Sequence, residues 1–266
     1  SKMFQMSLFN HILRLAIVVL CLSYSVAALA GGNKDYYSAV KVTITGGGKV
    51  YVTPQGRSET ELTSTGVVAG VKNESWGATG SDPGKSTNHS YTVRADASGT
   101  NYYFSGWKDG NTIISTNPYT VTISETKYTA EDDAKATPNK EIEAIFNPYV
   151  TLPKEIKFVV YSDEMDVASV QMKNIYKRTS LTLSLIGTDA GKFQLGKAID
   201  NTSEESISFG SEDGLDGNTT KDLIYAYINY SDGEYDPEKA LAVSDVKLKV
   251  VDNESHTWEI PIKVTE

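Results

Sequence analysis

Cysteine and histidine are nearly absent from this sequence, and their scarcity limits the chemistry that it can perform. Cys21 is the only cysteine among 266 residues, and there are three histidines. His11 lies near the N-terminus, so only His89 and His256 remain, in opposite halves of the chain. After residue 30 there is no cysteine that could form a disulfide, act as a nucleophile or bind a metal. The two remaining histidines are far apart in sequence, which argues against a two-histidine metal site and a Ser-His-Asp triad.

Basic residues are also scarce beyond the N-terminal segment. Residues 1–30 contain two basic side chains and no acid, which leaves 23 basic against 34 acidic side chains in the remainder, a net charge of −11. No cluster of lysine or arginine offsets this balance locally. We therefore expect no nucleic-acid partner and no electrostatic attraction to anionic lipid.

The N-terminal segment has the composition of an export signal peptide, spanning residues 1–30. Two basic residues precede the apolar run LAIVVLCL at 15–22, and Ala28-x-Ala30 supplies a small-residue cleavage site. A retained transmembrane helix over 12–30 is the alternative, because this stretch is nearly long enough to span a membrane. Export without disulfides favours a secreted protein of a bacterial cell surface or periplasm, with no membrane insertion after cleavage.

The rest of the chain has the alternating pattern of β-strands, and no stretch keeps a helical period for the length of an ordinary helix. AVKVTI at 39–44, the glycines 46–48 and KVYVT at 49–53 predict a β-hairpin. Four further strands are predicted in the first half of the chain, at 90–96, 102–107, 118–123 and 141–146.

Two segments of the first half lack this alternation. Residues 54–89 are rich in glycine, serine and threonine, which predicts a long exposed loop excursion. Residues 146–158 contain Pro148 and Pro153, and such a composition is typical of a linker between two β domains. The predicted domains are therefore 31–149 and 150–266.

Seven alternating segments separated by Asp, Gly and Asn turns follow the linker. Their number within about 115 residues matches an immunoglobulin-like β-sandwich without its disulfide. The predicted strands lie at 156–161, 167–172, 181–186, 205–210, 223–230, 246–251 and 257–264.

Residues 40–147 resemble the B-repeat domain of bacterial internalins. The similarity rests on a Gly-rich opening, YYFSGWKDGN, NPYTVTI and a closing EIEAIF, with Phe104, Gly106-Trp107, Tyr119-Thr120 and Phe146 at the recurrent positions. The resemblance implies a small β-rich repeat-type domain in which the aromatic before Gly-Trp and the tryptophan pack inside. Residues 54–89 depart from the pattern, because a plain repeat needs no such insertion.

Residues 156–264 resemble the immunoglobulin-like modules of bacterial surface proteins and of the Hydin-type family. LSLIGTDAGKFQL at 183–195 and TWEIPIKV at 257–264 carry this similarity, which rests mostly on apolar spacing and turns. The two resemblances together imply an all-β protein, with a small β-rich repeat-type domain followed by an immunoglobulin-like β-sandwich. They are associated with adhesins and large surface proteins.

Aromatic residues are the candidates for ligand contact. Strand alternation places Tyr103 on the opposite face from Phe104, so at least one ring of this cluster is expected outside the core. Trp76 lies among Gly, Ser and Asn, an unusual environment for a large apolar ring unless it folds back or contacts a partner. Tyr225 and Tyr227 share one strand face, which forms either an exposed two-ring strip or a buried side of the sandwich.

The acidic turn EDGLDGNTTKD at 212–222 is the one candidate metal site. Asp213, Asp216, Asn218 and Asp222 offer the oxygen ligands that calcium prefers, although their spacing matches no EF-hand. A polar loop between strands is the simpler interpretation. We expect no other cofactor.

The sequence favours a non-enzymatic, exported bacterial surface module for adhesion or protein–protein interaction. Its expected partner is a cell-surface or matrix protein, or a glycan. The alternative is a carbohydrate-binding accessory protein of a glycan-degrading system, which the tyrosine-rich strand LIYAYINY at 223–230 supports. No nucleophile elbow, metalloprotease motif or phosphate-binding loop occurs in the sequence.

Overall fold

A computed structural model describes residues 31–266, and the predicted export signal at 1–30 lies outside the described residues. The described chain is all-β: it contains seventeen strands, two short α-helices and two 3-10 helices. None of the helices in residues 31–266 has the length and apolar character needed to cross a membrane. The expected fold class is confirmed.

The chain divides into two compact units. The first contains the described residues up to Thr45 together with 49–96 and 105–145. The second contains 146–266 and two short segments from earlier in the chain, 46–48 and 97–104. Residues 101–104, the first part of the aromatic cluster at 101–107, therefore belong to the second unit.

Nine strands belong wholly or mainly to the first unit. They are β1 (Gly32–Thr45), β2 (Lys49–Pro54), β3 (Thr60–Leu62), β4 (Gly66–Trp76), β5 (Ser86–Asp96), β6 (Tyr102–Asp109), β7 (Thr112–Ile114), β8 (Tyr119–Thr126) and β9 (Lys140–Pro148). They form a five-stranded sheet of order β4-β1-β9-β6-β7 and a four-stranded sheet of order β3-β2-β5-β8. The first strand of the unit pairs in parallel with its last, β9.

Alternating apolar residues of both sheets are buried in the first unit. Val40 and Val42 of β1, Val50 and Val52 of β2, and Trp107 of β6 are all completely inaccessible to solvent. Helix α1 (Glu131–Ala136) covers β1 and β4 and buries Ala134 in a small cluster of alanines. Trp107 is thus a core residue, as the resemblance implies.

The predicted hairpin at 39–53 is wrong. The strands on either side of the glycine turn join different sheets: β1 pairs with β4 and β9, whereas β2 pairs with β3 and β5. The turn between them requires glycine at position 46. Gly46 has a φ of 86°, and a side chain at this position would collide with the carbonyl oxygen of Phe146. Alternation predicts that a segment is a strand but does not choose its partner.

The predicted loop excursion at 54–89 is also wrong, because much of this segment is extended and paired. β4 occupies 66–76 and pairs along its whole length with β1, from Trp76 opposite Gly32 to Gly66 opposite Val42. β4 is an edge strand, so Gly, Asn and Ser are tolerated there without a continuous apolar face. The short apolar VVAGV at 67–71 supplies its buried part.

Eight strands and one helix make up the rest of the second unit. They are β10 (Ile156–Val159), β11 (Ala168–Tyr176), β12 (Leu181–Ile186), β13 (Phe193–Gly196), β14 (Ser206–Phe209), β15 (Thr220–Tyr230), α2 (Pro237–Leu241), β16 (Lys247–Asp252) and β17 (Thr257–Thr265). The sheets have the orders β10-β17-β16-β12-β14 and β11-β15-β13. All seven predicted strands are confirmed, and β13 is additional.

One apolar core lies between these two sheets. Val170 and Met172 from the three-stranded sheet and Leu183, Leu248 and Val250 from the five-stranded sheet belong to the same buried cluster. The second unit is therefore a β-sandwich. Because it lacks a disulfide, its stability depends on this packing and on polar contacts between its loops.

The predicted linker at 146–158 is ordered within the second unit. The amide of Thr151 donates to the carbonyl of Lys173 at 2.8 Å, and the amide of Tyr176 donates to the carbonyl of Tyr149 at 2.8 Å. Val150 between them is 1% exposed and belongs to the core. The segment is held by pairing with β11 rather than extended in solvent.

A pair of aspartates joins two loops of the second unit. The Asp189 carboxylate accepts hydrogen bonds of 3.0 Å from the backbone amides of Ser244 and Asp245, and it lies 3.0 Å from the ammonium group of Lys192. Asp245 in turn accepts from the amide and hydroxyl of Thr188. The hydrogen bonds from the two amides and from Lys192 lower the pKa of Asp189 to about 2.

We expect Asp189 to make the second unit sensitive to acid. Its folded pKa lies below the unfolded value of about 3.9, so its stabilisation is complete above about pH 5 and is lost as the pH falls through 4 towards 2. Asp189→Asn should lower the free energy of unfolding at pH 7 and flatten its decline between about pH 5 and 2. Urea titrations at several pH values, followed by amide exchange in β15, measure both effects. Asp200→Asn, at an exposed position, is the control, and equal acid sensitivity of Asp189→Asn and the wild type would contradict the prediction.

Candidate functional site

The outer face of the three-stranded sheet carries the candidate binding surface. Along β15 the side chains of Ile224, Ala226 and Ile228 point into the core, so Tyr225 and Tyr227 point away from it. Tyr225 is 40% exposed, and Tyr227 is partly exposed. The interpretation of this face as a buried side of the sandwich is therefore wrong, and the exposed two-ring strip is what the structure contains.

The two tyrosine rings lie side by side with nearly parallel planes. Their centroids are 6.4 Å apart and their planes differ by 18°. β15 is the central strand of its sheet, where Tyr227 is paired on both sides and Tyr225 is paired with β11. The two side chains therefore lose little conformational entropy on binding, since a tyrosine side chain has only two rotatable torsions.

Polar side chains lie beside the tyrosine strip on the neighbouring strands, among them the exposed Lys173 opposite Leu223. In the cross-strand register Gln171 lies opposite Tyr225, and Ser169 lies opposite Tyr227, both on the same face of β11. On the other side of β15, Gln194 lies opposite Asn229. Amide and hydroxyl groups beside flat aromatic rings can fix the orientation of a ligand that the rings hold.

Tyr103 is not a free stacking platform. Its ring stacks on that of Tyr176 with the centroids 3.6 Å apart and the planes 9° from parallel, and the ring of Tyr149 leans against it at 5.4 Å. Burial raises the pKa of Tyr103. One face of its ring is thus occupied within the second unit. A ligand contact at its other face stays a prediction.

Trp76 is the last residue of the edge strand β4, and it is partly exposed. Its indole lies over the backbone of Gly32, where the Cβ atom of any larger residue would come within 1.8 Å of the ring. The ring thus folds back on β1 without being fully buried. Its contact role stays a prediction, which a Trp76→Ala variant in a binding assay tests.

The predicted calcium ligands are not brought together as a cluster of carboxylates. Asp213 pairs with Lys197 at 3.1 Å, and the carboxylate of Asp216 accepts from the amides of Asn218 and Thr219. No three His, Cys, Asp or Glu side chains among residues 31–266 converge in a way that could hold a metal. Asp222 lies on β15 and is exposed. The loop interpretation thus accounts for Asp213 and Asp216, and calcium titration against thermal stability tests the metal hypothesis.

A buried ionic network lies near the end of β16, and the sequence alone does not reveal it. The side chain of Asp252 is fully buried and accepts from Arg178 at 3.2 Å and from the His256 ring at 2.7 Å. Its other oxygen accepts from the backbone amides of Glu254 and His256. The guanidinium of Arg178 covers the ring of Tyr149 at 4.0 Å. The one signal in the sequence is an Asp-x-x-x-His spacing in a turn, which is too common to identify a network.

Comparison with known proteins adds no relative that would assign an activity. No protein-family model matches the chain, and a search of curated proteins finds no similar sequence. Any function must therefore be argued from the surfaces and contacts described above.

Proposed function

We propose that this chain is a non-enzymatic, exported bacterial surface module that serves adhesion or protein–protein interaction. Its partner is a cell-surface or matrix protein, and the contact is made by the outer face of the three-stranded sheet. The observation that carries the proposal is the outward-facing Tyr225–Tyr227 pair on a central strand, in which Tyr225 is exposed and Tyr227 partly exposed. Tyrosine is enriched at protein interfaces because it combines a large apolar area with a hydroxyl group.

The surroundings of the pair support binding rather than accidental exposure. A sheet face that only contacts water has no need of two adjacent aromatic rings, and single exposed apolar side chains are the norm on soluble proteins. Here the rings are adjacent, nearly parallel and flanked by Ser169, Gln171 and Gln194. Such an apolar centre with a polar rim is the usual anatomy of a recognition surface.

A second candidate function is carbohydrate binding, as an accessory protein of a glycan-degrading system. The two neighbouring tyrosines favour it, because aromatic rings that face outward can stack against the apolar face of a sugar ring. The neighbouring amides can then hydrogen-bond the sugar hydroxyls.

Tyr225→Ala is expected to weaken binding by about tenfold or more, since truncating a central aromatic residue of an interface commonly removes this much affinity. Residues 31–266 are applied to a glycan array and, in parallel, to surfaces coated with purified matrix proteins. Loss of a glycan signal favours the carbohydrate-binding candidate, and loss of a protein signal favours adhesion.

Tyr161→Ala provides the matched control for this experiment. Tyr161 is also an exposed tyrosine of the second unit, at 48%, but it lies outside the three-stranded sheet. Its truncation should leave binding unchanged. Equal binding by wild type, Tyr225→Ala and Tyr161→Ala would show that the tyrosine strip is not the binding surface.

A further inference from the structure

The first unit contains a cleft that the proposed function does not use. It has a volume of about 610 Å³, within the usual range of about 300–1,000 Å³ for small-molecule sites. Residues of β4, β5 and β8 line it, together with the turn residue Gln55. Its lining includes Gln55, Lys72, Asn88, His89, Ser90 and Tyr91.

A chain of buried hydrogen bonds reaches the wall of this cleft. The Ser38 hydroxyl bonds the Tyr91 hydroxyl at 2.5 Å and the Nδ1 atom of His89 at 2.7 Å. Ser38, Tyr91 and His89 are all at most 4% exposed. The orientation of the imidazole is therefore fixed through Nδ1, in a way that a surface histidine would not be.

The other imidazole nitrogen of His89 has no partner in the described part of the chain. Nε2 is buried and makes no hydrogen bond there. A buried polar atom left without a partner costs about 1–3 kcal/mol, so such an atom calls for an explanation. Burial lowers the pKa of His89, and the charge of nearby Lys72 lowers it further. The nearby Glu74 opposes this shift, but burial dominates and favours the neutral ring of His89, which is one of the residues that line the cleft.

The charges that line the cleft favour an anion. Lys72 is its one permanently charged residue among those described, and no acidic side chain lines it. The Lys72 ammonium donates to the carbonyl of Thr87 at 2.5 Å and lies 3.9 Å from Glu74, which leaves a proton for a further acceptor. Its side chain is 41% exposed, so a ligand entering from solvent can reach it.

Neutral donors and a distorted strand complete the cleft. The backbone amide of Gln55 donates to the carbonyl of Ser90, and the side-chain Oε1 of Gln55 accepts from the Ser90 hydroxyl. The side-chain nitrogen of Gln55 is left to donate to a ligand. Asn88, beside His89, has a φ of 58° and interrupts the β5–β8 ladder. Asparagine adopts left-handed backbone more readily than most residues other than glycine, so Asn88 can form this break in the ladder beside His89.

We infer that this cleft binds a small hydroxylated carboxylic acid of about the size of a monosaccharide. The carboxylate pairs with Lys72, and a polar group of the ligand meets Nε2 of His89. If the Ser38 hydroxyl donates to Nδ1, the ring proton is on Nε2, which then donates to the ligand. If Nδ1 donates to Ser38, Nε2 has a lone pair and accepts, while Ser38 donates to Tyr91. A hydroxylated acid satisfies both cases, because its carboxylate accepts and its hydroxyls donate.

Glucuronate is the probe that tests this inference, with glucose as its uncharged counterpart. The imidazole nitrogens are followed by NMR in the ¹⁵N-labelled chain, where three histidines keep the assignment simple. Glucuronate should shift the His89 resonances along a saturable curve while those of His256, in the other unit, stay in place. Glucose should bind about tenfold more weakly, because it lacks the charge-assisted contact.

Two variants separate a built site from general attraction of an anion. Lys72→Gln should weaken glucuronate binding about tenfold, whereas Lys85→Gln, which removes an exposed lysine elsewhere on the same unit, should leave it unchanged. Tyr225→Ala should also leave it unchanged, since the cleft is independent of the tyrosine strip. No saturable shift at His89, equal responses to glucose and glucuronate, or equal effects of the two lysine variants would each overturn the inference.

Discussion

Asp252→Ala is expected to lower the free energy of unfolding of the second unit by about 3–5 kcal/mol, because it leaves Arg178 buried without its counter-charge. The side chains of Asp252 and Arg178 are 0% and 6% exposed, and their charged atoms are 3.2 Å apart. The substitution also removes the acceptor of the His256 ring and of two backbone amides. Urea unfolding followed by amide exchange in β16 and β17 measures the loss.

Glu254→Ala is the matched control, because Glu254 also pairs with Arg178, at 3.4 Å, but is 55% exposed. An exposed partner contributes only about 0–1 kcal/mol, so this variant should remain close to the wild type. The paired replacement of Arg178 and Asp252 by leucine should recover much of the stability lost in Asp252→Ala, since no buried charge is then left alone. Equal stability of Asp252→Ala and Glu254→Ala would contradict the prediction.

The strands of the second unit are the part of the fold that the sequence predicts best. Period-two alternation bounded by turn residues places all seven of its predicted strands. The same alternation predicts that Tyr225 and Tyr227 share a face. It does not say which face lies outside, because a strand with apolar residues on both sides fits either orientation. Only packing against the other sheet decides it, through Ile224, Ala226 and Ile228.

Strand pairing could not be predicted, and both errors in the first unit have this origin. A turn of three glycines between alternating segments is compatible with a hairpin, but also with a change of sheet. Composition fails for the segment 54–89 because an edge strand tolerates the same Gly, Ser and Asn residues that are typical of a loop. β4 forms a strand because it pairs with the edge of β1 that β9 leaves open. This pairing is a property of the assembled unit.

The polar features of both units depend on contacts between residues distant in sequence. Arg178 and Asp252 are 74 residues apart, and Ser38 and His89 are 51 apart. Neither pair has a motif, because each residue is placed by its own strand or turn. A lone histidine in a strand is usually read as a packed side chain, so the unused Nε2 of His89 becomes visible only when its neighbours are known.

Trp107→Ala is expected to lower the free energy of unfolding of the first unit by about 3–5 kcal/mol, which is the usual cost of removing a buried tryptophan. Trp107 is 0% exposed and is the largest fully buried side chain described. It lies on β6 opposite Ile114 of β7, two residues before the turn that begins at Asp109. The measurement is urea unfolding followed by amide exchange in β5 and β8.

Two further variants show whether this loss arises from packing. Trp107→Phe keeps an aromatic ring in the core and should lose less stability than Trp107→Ala, because a smaller cavity remains. Lys108→Ala changes the exposed neighbour on the same strand and should alter stability by no more than about 0.5 kcal/mol. A Trp107→Ala variant as stable as Lys108→Ala would mean that the ring does not support the core. The aromatic cluster at 101–107 would then require a functional explanation.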